Sequence, residues 1–188
     1  MERTAFNNDE QPNVQLTEHH TEPLHNSNTA NELDFYFPFP LTPRERQTLE
    51  AASYGLTADQ TATQLGITSR VVSRFRTRAM VKLGADNITQ AVNNGFDFGI
   101  LSLEESSETN TVQLNPIEVN ELRLAARGLT HIKVAEKQKV APVTVRQHRS
   151  KLLRKLQAVN MPHAIRKARE AGLAMNIDTK DLLDDISN

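Results

Sequence analysis

The side chains best suited to specific recognition chemistry lie in residues 140–156, where Arg146 is followed directly by Gln147. An arginine can donate to both acceptors of a guanine edge, and a glutamine matches the acceptor and the donor of an adenine edge. Ser150 and the cations Arg149 and Lys151 complete the polar set. These residues could read the major groove of DNA, but an ordinary basic surface helix would have the same composition.

A helix is the element that would expose these groups. Pro142 suits a first helical turn, where its missing N–H is no loss, and neither proline nor glycine follows it up to residue 156. Val145 and Leu152 are seven residues apart and would face the core together. We therefore expect a helix whose outer surface carries Arg146 and Gln147.

The whole unit that contains this helix occurs twice in the chain. A shift of 73 residues aligns residues 41–99 with 114–172 without a gap, and 17 of the 59 aligned positions are identical. Unrelated sequences would share about 3 or 4. The chain therefore contains an internal duplication.

Each copy has the pattern of four helices. In the first copy Thr57 caps a short second helix, the pattern breaks at Gly66, and Thr68 starts a third helix. Two short helices joined by a tight turn are typical of a helix-turn-helix. A fourth helix follows an asparagine cap in each copy, Asn87 and Asn160. The predicted fold class is all-α, with two tandem four-helix domains.

The first helix of each copy has its own start signal. Thr42 and Glu45 form a capping box with Pro43 at the first helical position, and Asn115 and Glu118 repeat the arrangement.

Both copies resemble the DNA-binding domain of the LuxR family of bacterial transcription regulators, also called the GerE-type helix-turn-helix. The segments that carry the resemblance are Leu41-Thr42-Pro43-Arg44-Glu45, Gly55-Leu56-Thr57, Gly66-Ile67-Thr68 and Lys82-Leu83-Gly84 in the first copy, and Thr144-Val145-Arg146-Gln147-His148-Arg149 and Arg154-Lys155-Leu156 in the second. Most members of that family join one such domain to a sensor domain, whereas here two copies stand in tandem.

By this resemblance the third helix of each copy enters the major groove. The implied base-reading residues are Arg146, Gln147 and Ser150 in the second copy and Ser73, Arg74 and Thr77 in the first. The implied phosphate-contacting residues are Thr144, His148, Arg149, Lys151 and Arg154, together with Arg70, Arg76 and Arg78. Phosphate contacts position a protein on DNA, whereas base contacts specify the sequence.

Two departures from the family pattern concern the strength of each copy. Phe75 stands where a histidine is expected, and the first domain, residues 41–100, has a net charge of only +2. The first copy could therefore be a weak reader or chiefly an oligomerisation unit. In the second copy Gln138 and Lys139 replace the leucine and the glycine of the first helix-turn-helix.

The fourth helix of each copy carries a row of small residues. The members are Ala91, Gly95 and Gly99 in the first copy and Ala164, Ala168 and Gly172 in the second. In the resembled family this helix commonly carries the dimer contact, so the rows could pair two helices, within one chain or between chains. Alternatively, the alanines pack into their own domain and the glycines end the helix.

Charge is segregated along the chain. The formal net charge is −1, but residues 114–173 carry +9, whereas residues 1–40, 101–113 and 174–188 carry −6, −3 and −3. A basic segment of this kind is typical of a nucleic-acid-binding module.

The absence of cysteine excludes disulfides, a thiol nucleophile and cysteine-type zinc fingers. No nucleophile–base pair, phosphate-binding glycine loop or ligand cluster is evident, so we expect no enzymatic activity, cofactor, small-molecule ligand or metal.

The composition outside the repeats sets the domain boundaries. The predicted order is a disordered acidic segment (1–34), the first domain with an aromatic strip at its start (35–100), an acidic linker (101–113), the basic second domain (114–173) and an acidic tail (174–188). The strip either seals the first domain or binds a partner. The tail could form a short helix that docks on the second domain or on its basic face. No apolar run reaches membrane-spanning length and no secretory signal is present, so we expect a cytoplasmic protein.

The predicted function is sequence-specific regulation of bacterial transcription, with both helix-turn-helix domains on adjacent half-sites of double-stranded DNA. Because the two sets of reading residues differ, the expected target is an imperfect repeat. The alternative is a protein-binding regulator, an anti-activator that pairs with other LuxR-type proteins through helix four. A promoter-recognition subunit similar to sigma factor region four ranks lower, because the other regions of such a subunit are missing.

Overall fold

The computed structural model describes residues 40–103 and 112–173, and this part of the chain contains eight α-helices and no strand. The all-α prediction is therefore confirmed. The helices are α1 (Pro43–Ser53), α2 (Ala58–Leu65), α3 (Ser69–Lys82) and α4 (Ile88–Asp97) in the first repeat, and α5 (Pro116–Ala126), α6 (His131–Gln138), α7 (Pro142–Lys155) and α8 (Met161–Glu170) in the second. The acidic N-terminal segment, the aromatic strip as far as residue 39, the middle of the linker and the tail lie outside the described residues.

The helices begin where the capping signals predict. Glu45 accepts a hydrogen bond from the Thr42 N–H (2.8 Å), and Glu118 accepts one from the Asn115 N–H (2.9 Å), so both capping boxes form. Each glutamate also pairs with a lysine at 2.7 Å, Lys82 in the first repeat and Lys155 in the second. Burial raises the pKa of Glu45 and Glu118, but the hydrogen bonds from the lysines and the capping N–H groups outweigh it, and the net effect lowers the pKa of both carboxyls.

Both helix-turn-helix turns have the same backbone conformation despite their different sequences. α2 ends at Gly66 with φ of 65°, in the left-handed region that glycine adopts readily. α6 ends at Lys139 with φ of 54°, so a lysine occupies the equivalent left-handed position. The loss of the glycine in the second copy has therefore not changed the turn.

One continuous hydrophobic core runs through both repeats. It joins buried residues of the first repeat to buried residues of the second, among them Leu49, Leu83 and Val92 with Leu122, Leu152 and Ile165. Leu101, which the sequence assigns to the linker, is also buried in this core. A smaller cluster of Leu124, Val134, Ala135 and Val145 holds the second helix-turn-helix together.

The contact between the repeats is made by their first and fourth helices. α4 packs against α8 and α5, and α8 packs against α1. The helices that carry the predicted reading residues pack on other partners: α3 on α1, α2 and α4, and α7 on α5, α6 and α8. The two repeats thus form one folded unit, and one face of each third helix is left exposed on its surface. Within the described residues, no helix is long and apolar enough to cross a membrane.

Candidate nucleic-acid interface

The outer face of α7 carries the three base-reading residues implied for the second copy. Val145 and Leu152 are fully buried on the inner face of this helix. Arg146, Gln147 and Ser150 are exposed. Because residues at i, i+1 and i+4 span less than half a turn of the helix, the three side chains share one outward surface.

The corresponding face of α3 is also exposed, but its hydroxyl groups are partly committed. Val72 and Ala79 are buried, whereas Ser73, Arg74 and Thr77 face outward. The Ser73 hydroxyl donates to the Ser69 carbonyl and the Thr77 hydroxyl donates to the Ser73 carbonyl, both at 2.9 Å. Their hydrogens are used within the helix, so each hydroxyl oxygen is left to act as an acceptor.

The exposed faces of α3 and α7 carry the same charge. Neither helix contains an acidic residue. Lys82 and Lys155 at their ends are neutralised by Glu45 and Glu118. No carboxylate of the described residues forms an ion pair with the remaining exposed cations, which are Arg70, Arg74 and Arg78 in α3 and Arg146, Lys151 and Arg154 in α7. Residues 41–100 and 114–173 contain five and four acidic residues, so the low net charge of the first repeat comes from fewer cations on its other elements. Its third helix offers as many exposed cations as that of the second.

Two arginines expected to contact phosphates point into the protein instead. Arg76 donates to the Leu56 carbonyl and the Thr61 hydroxyl, both at 3.0 Å, and to the Thr48 carbonyl at 3.3 Å. Burial lowers the pKa of its guanidinium. Arg76 therefore connects three elements of the first repeat and does not belong to the exposed set.

Arg149 has the same position in the second repeat, where Glu121 and Val134 stand in place of Thr48 and Thr61, so one partner is exchanged and one is lost. Its Nη2 donates to the Leu129 carbonyl at 3.0 Å, and its Nε lies 3.4 Å from a carboxylate oxygen of Glu121, whose side chain is 0% exposed. Residue 121 is equivalent to Thr48, so the second repeat has an ion pair where the first has a neutral contact. Both arginines follow a buried valine by four residues, and this spacing is the sequence signal for their inward direction.

Thr144 and His148 lie at the border of the α7 face. Both are half-buried, and the Nδ1 atom of His148 is buried without a hydrogen-bond partner in the described part of the chain. Phe75, also half-buried, takes the place of His148 in α3. These side chains flank the exposed cations in both repeats.

The repeats contact each other through a reciprocal pair of hydrogen bonds. The Asn160 side-chain amide donates to the Gly55 carbonyl (2.8 Å), and the Asn87 amide donates to the Gly128 carbonyl (2.7 Å). Each asparagine is also the N-cap of its fourth helix. Gly128 is the repeat equivalent of Gly55, and Asn160 is the repeat equivalent of Asn87. Asn160 therefore contacts Gly55 in the same way as Asn87 contacts Gly128. This is the relation of an approximate two-fold axis.

Two arginines of α8 add polar contacts that have no equivalent in α4, and the sequence did not predict them. Arg166 of α8 is only 2% exposed, stacks 3.8 Å from the centre of the Tyr54 ring and donates to the Tyr54 hydroxyl at 2.5 Å. Arg169 donates to Asn93 (2.8 Å) and Asp97 (2.5 Å) of α4. Sequence reasoning counted both arginines only as part of the basic charge of the second repeat.

The six small residues of the fourth helices have different roles. Gly99 and Gly172 lie just after α4 and α8 with φ of 66° and 72°. The space next to Gly95 is filled by Leu101 and Leu49 of its own repeat. Ala91, Ala164 and Ala168 are fully buried in the core that both repeats share. Gly99 and Gly172 thus follow the second interpretation, Gly95 lies within α4, and the alanines pack into a core that is both internal and shared.

The comparisons with known proteins agree with the geometry. The family model described as bacterial regulatory proteins, luxR family (GerE), matches residues 40–94 and again residues 113–168, which together are more than half of the chain. No curated protein and no solved structure was found to match.

Proposed function

The chain belongs to the luxR family of bacterial regulatory proteins, whose domains bind DNA to regulate transcription, and we propose that its two domains bind adjacent half-sites of one DNA duplex. In this proposal α3 and α7 lie in successive major grooves. The chain would act in the bacterial cytoplasm, where the chromosome is.

The observation that carries the proposal is the reciprocal contact between the repeats. Helix-turn-helix proteins that bind as two-fold dimers read two half-sites about 34 Å apart. The pair of Asn-to-carbonyl hydrogen bonds gives one chain the same two-fold relation that a dimer has between two chains. The expected target is therefore an inverted repeat, recognised by a single chain.

The two half-sites should differ in sequence. Arg146 is equivalent to Ser73, and Gln147 is equivalent to Arg74, so the guanidinium stands one position further along the helix in the first repeat. Arginine favours guanine and glutamine favours adenine, and the Ser73 and Thr77 oxygens favour base donors. We expect the preferred guanine to fall at different positions in the two half-sites.

Phosphate contacts should supply most of the affinity. After the inward arginines are removed from the set, four exposed cations remain beside the reading residues: Arg70, Arg78, Lys151 and Arg154. Thr144 and His148 would add further hydrogen-bond donors. Because each neutralised phosphate releases counterions, four such contacts predict that log K falls with log salt at a slope of about −4.

A protein-binding anti-activator that pairs through helix four has less support. α4 and α8 already pack against each other and share a core, so an external partner would first have to separate them. Exposing this core would cost the free energy of its buried apolar surface.

The decisive experiment is selection of bound sequences from random duplex DNA with the purified full-length chain. We expect an enriched two-part motif that a single chain binds, with log K falling against log salt at a slope of about −4.

Arg146→Ala and Arg74→Ala should each relax the preference at one base, in different half-sites, at a cost of about 1–3 kcal/mol. Lys151→Ala should weaken binding to all sequences alike. A single-part motif would overturn the tandem arrangement, and capture of a LuxR-type protein without any enriched DNA would favour the anti-activator.

A further inference from the structure

A valine occupies the outward face of α7, among the groups proposed to read bases. Val143, the second residue of the helix, is 49% exposed, whereas Val145, two residues later, is fully buried. At about 100° per residue, position 143 points about 160° away from position 145. Val143 therefore contributes nothing to the core of its own domain.

The position of Val143 continues the stripe of reading residues. Residues 143, 146, 147 and 150 have the spacing i, i+3, i+4 and i+7, which defines a single face of a helix. In the first repeat the same face consists of Arg70, Ser73, Arg74 and Thr77, all of them exposed. Each of these faces thus has a fourth position one turn toward its N-terminus. In α3 it holds Arg70, which the proposed function assigns to a phosphate, and in α7 it holds a valine, which offers neither a charge nor a hydrogen bond.

We propose that Val143 is a further specificity-determining residue, and that its ligand is the 5-methyl group of a thymine in the half-site bound by α7. This inference rests on the proposed DNA-binding function. The side chain of valine consists of methyl groups, and the thymine methyl is the apolar group that the major groove offers for such a contact. A β-branched side chain is already restricted in rotation, so little freedom is lost when it packs against the base.

The surroundings of Val143 favour DNA over a protein as the occupant of this surface. Gln147, one turn along the same face, matches adenine, and Arg146 and Ser150 complete a polar and basic stripe that would suit an apolar protein surface poorly. Two other exposed apolar residues of this domain, Ile132 and Val140, lie on α6 and in the turn after it, outside the stripe of α7. A protein that docked on all three would need Ile132 as much as Val143.

Replacement of thymine by deoxyuridine tests the contact directly, because it removes the methyl group and leaves the base pair intact. With the full-length chain and its selected site, each thymine is replaced in turn and affinity is measured. We expect one thymine in the half-site of α7 to give a loss of about fourfold, the factor that burial of one methyl group is worth. For Val143→Ala the loss at that position should disappear, and for Ile132→Ala it should persist.

A second variant uses the difference between the repeats. Val143→Arg gives α7 the residue that α3 has at position 70, where the proposed function has it contact a phosphate, so selection with this variant should lose the thymine preference at that base pair.

The outcomes separate this inference from the proposed function. If the chain binds its selected site but no thymine shows a penalty that depends on Val143, the inference is overturned and the proposed function stands. If no DNA sequence is enriched at all, both fail. Binding of a protein that is lost equally in Val143→Ala and Ile132→Ala, with an unchanged deoxyuridine profile, would reassign this surface to a protein partner and also overturn the inference.

Discussion

The arginines of α3 and α7 show how similar side chains on one helix serve different purposes. Arg74 and Arg78 are exposed, whereas Arg76 between them is hydrogen-bonded to three elements of its own domain. Arg149 in the second repeat has two partners, the Leu129 carbonyl and the carboxylate of the fully buried Glu121. An inward arginine of this kind holds the third helix against the others, so its loss should affect folding before it affects DNA binding.

Arg149→Ala should lower the free energy of unfolding by about 3 kcal/mol, because it leaves the Glu121 carboxylate buried without its cation. The matched control is Lys151→Ala, which removes the same charge from the same helix at an exposed position and should change stability by less than about 0.5 kcal/mol. Urea unfolding of both variants measures the difference. A normal stability for Arg149→Ala together with weaker DNA binding would restore this residue to the phosphate contacts.

At the scale of elements, the two helix-turn-helix motifs reach one geometry from different local sequences. Seven of the eight helices have an N-cap side chain that accepts a backbone hydrogen bond, and α7, preceded by Ala141, is the exception within the described residues. The turn before α7 also places Lys139 in the left-handed region, where L-residues are strained. The second motif is thus held by packing of its own small core, Leu124, Val134, Ala135 and Val145, more than by its turn chemistry.

Lys139→Gly should therefore stabilise the protein by about 0.5–1 kcal/mol, because glycine adopts the left-handed conformation without strain. Lys137→Gly is the matched control: it makes the same chemical change two residues earlier, inside α6, where glycine costs about 1 kcal/mol. Thermal unfolding of the two variants should shift in opposite directions. A decrease for both would mean that Lys139 makes a contact that outweighs its backbone strain.

At the scale of the whole molecule, the repeats are joined by close backbone approach as well as by a shared core. Gly55 has φ of 86°, and a Cβ atom added there would overlap the Val159 side chain of the other repeat and lie 3.1 Å from His163 Nδ1. Burial, together with the charge of Lys167, lowers the pKa of His163 and favours its neutral form in this contact. Glycine at position 55 is thus required both by its own conformation and by its neighbour repeat.

Gly55→Ala and Gly84→Ala separate these two requirements. Both glycines have positive φ, but nothing lies within 4 Å of the position that a Cβ would take at Gly84. Gly84→Ala should cost about 1 kcal/mol, the strain of the left-handed conformation alone. Gly55→Ala should cost more, and hydrogen exchange should show faster opening of α4 and α8. This variant should lose more affinity for a two-part DNA site than for a half-site alone. Equal effects of the two substitutions would show that the contact at Gly55 does not hold the repeats together.

The sequence by itself determined the local structure of each repeat. Most helix starts, the turn of the first helix-turn-helix and the outward direction of Arg146, Gln147 and Ser150 depend on residues within one or two turns of each other, and caps and periodicity record such short-range preferences directly. The duplication and the family resemblance follow from the same local segments, and the family match confirms them.

Only the tertiary structure decided how the repeats meet and which partners the buried arginines bind. Arg166 and Arg169 bind partners in the first repeat that lie more than 70 positions away in the chain. The side chains of Asn87 and Asn160 each cap a helix of their own repeat and donate a hydrogen bond to the other repeat. A long flexible guanidinium can turn toward solvent or toward a distant carbonyl with little change in local preference. Its direction is therefore fixed by the burial and hydrogen bonding of the folded whole.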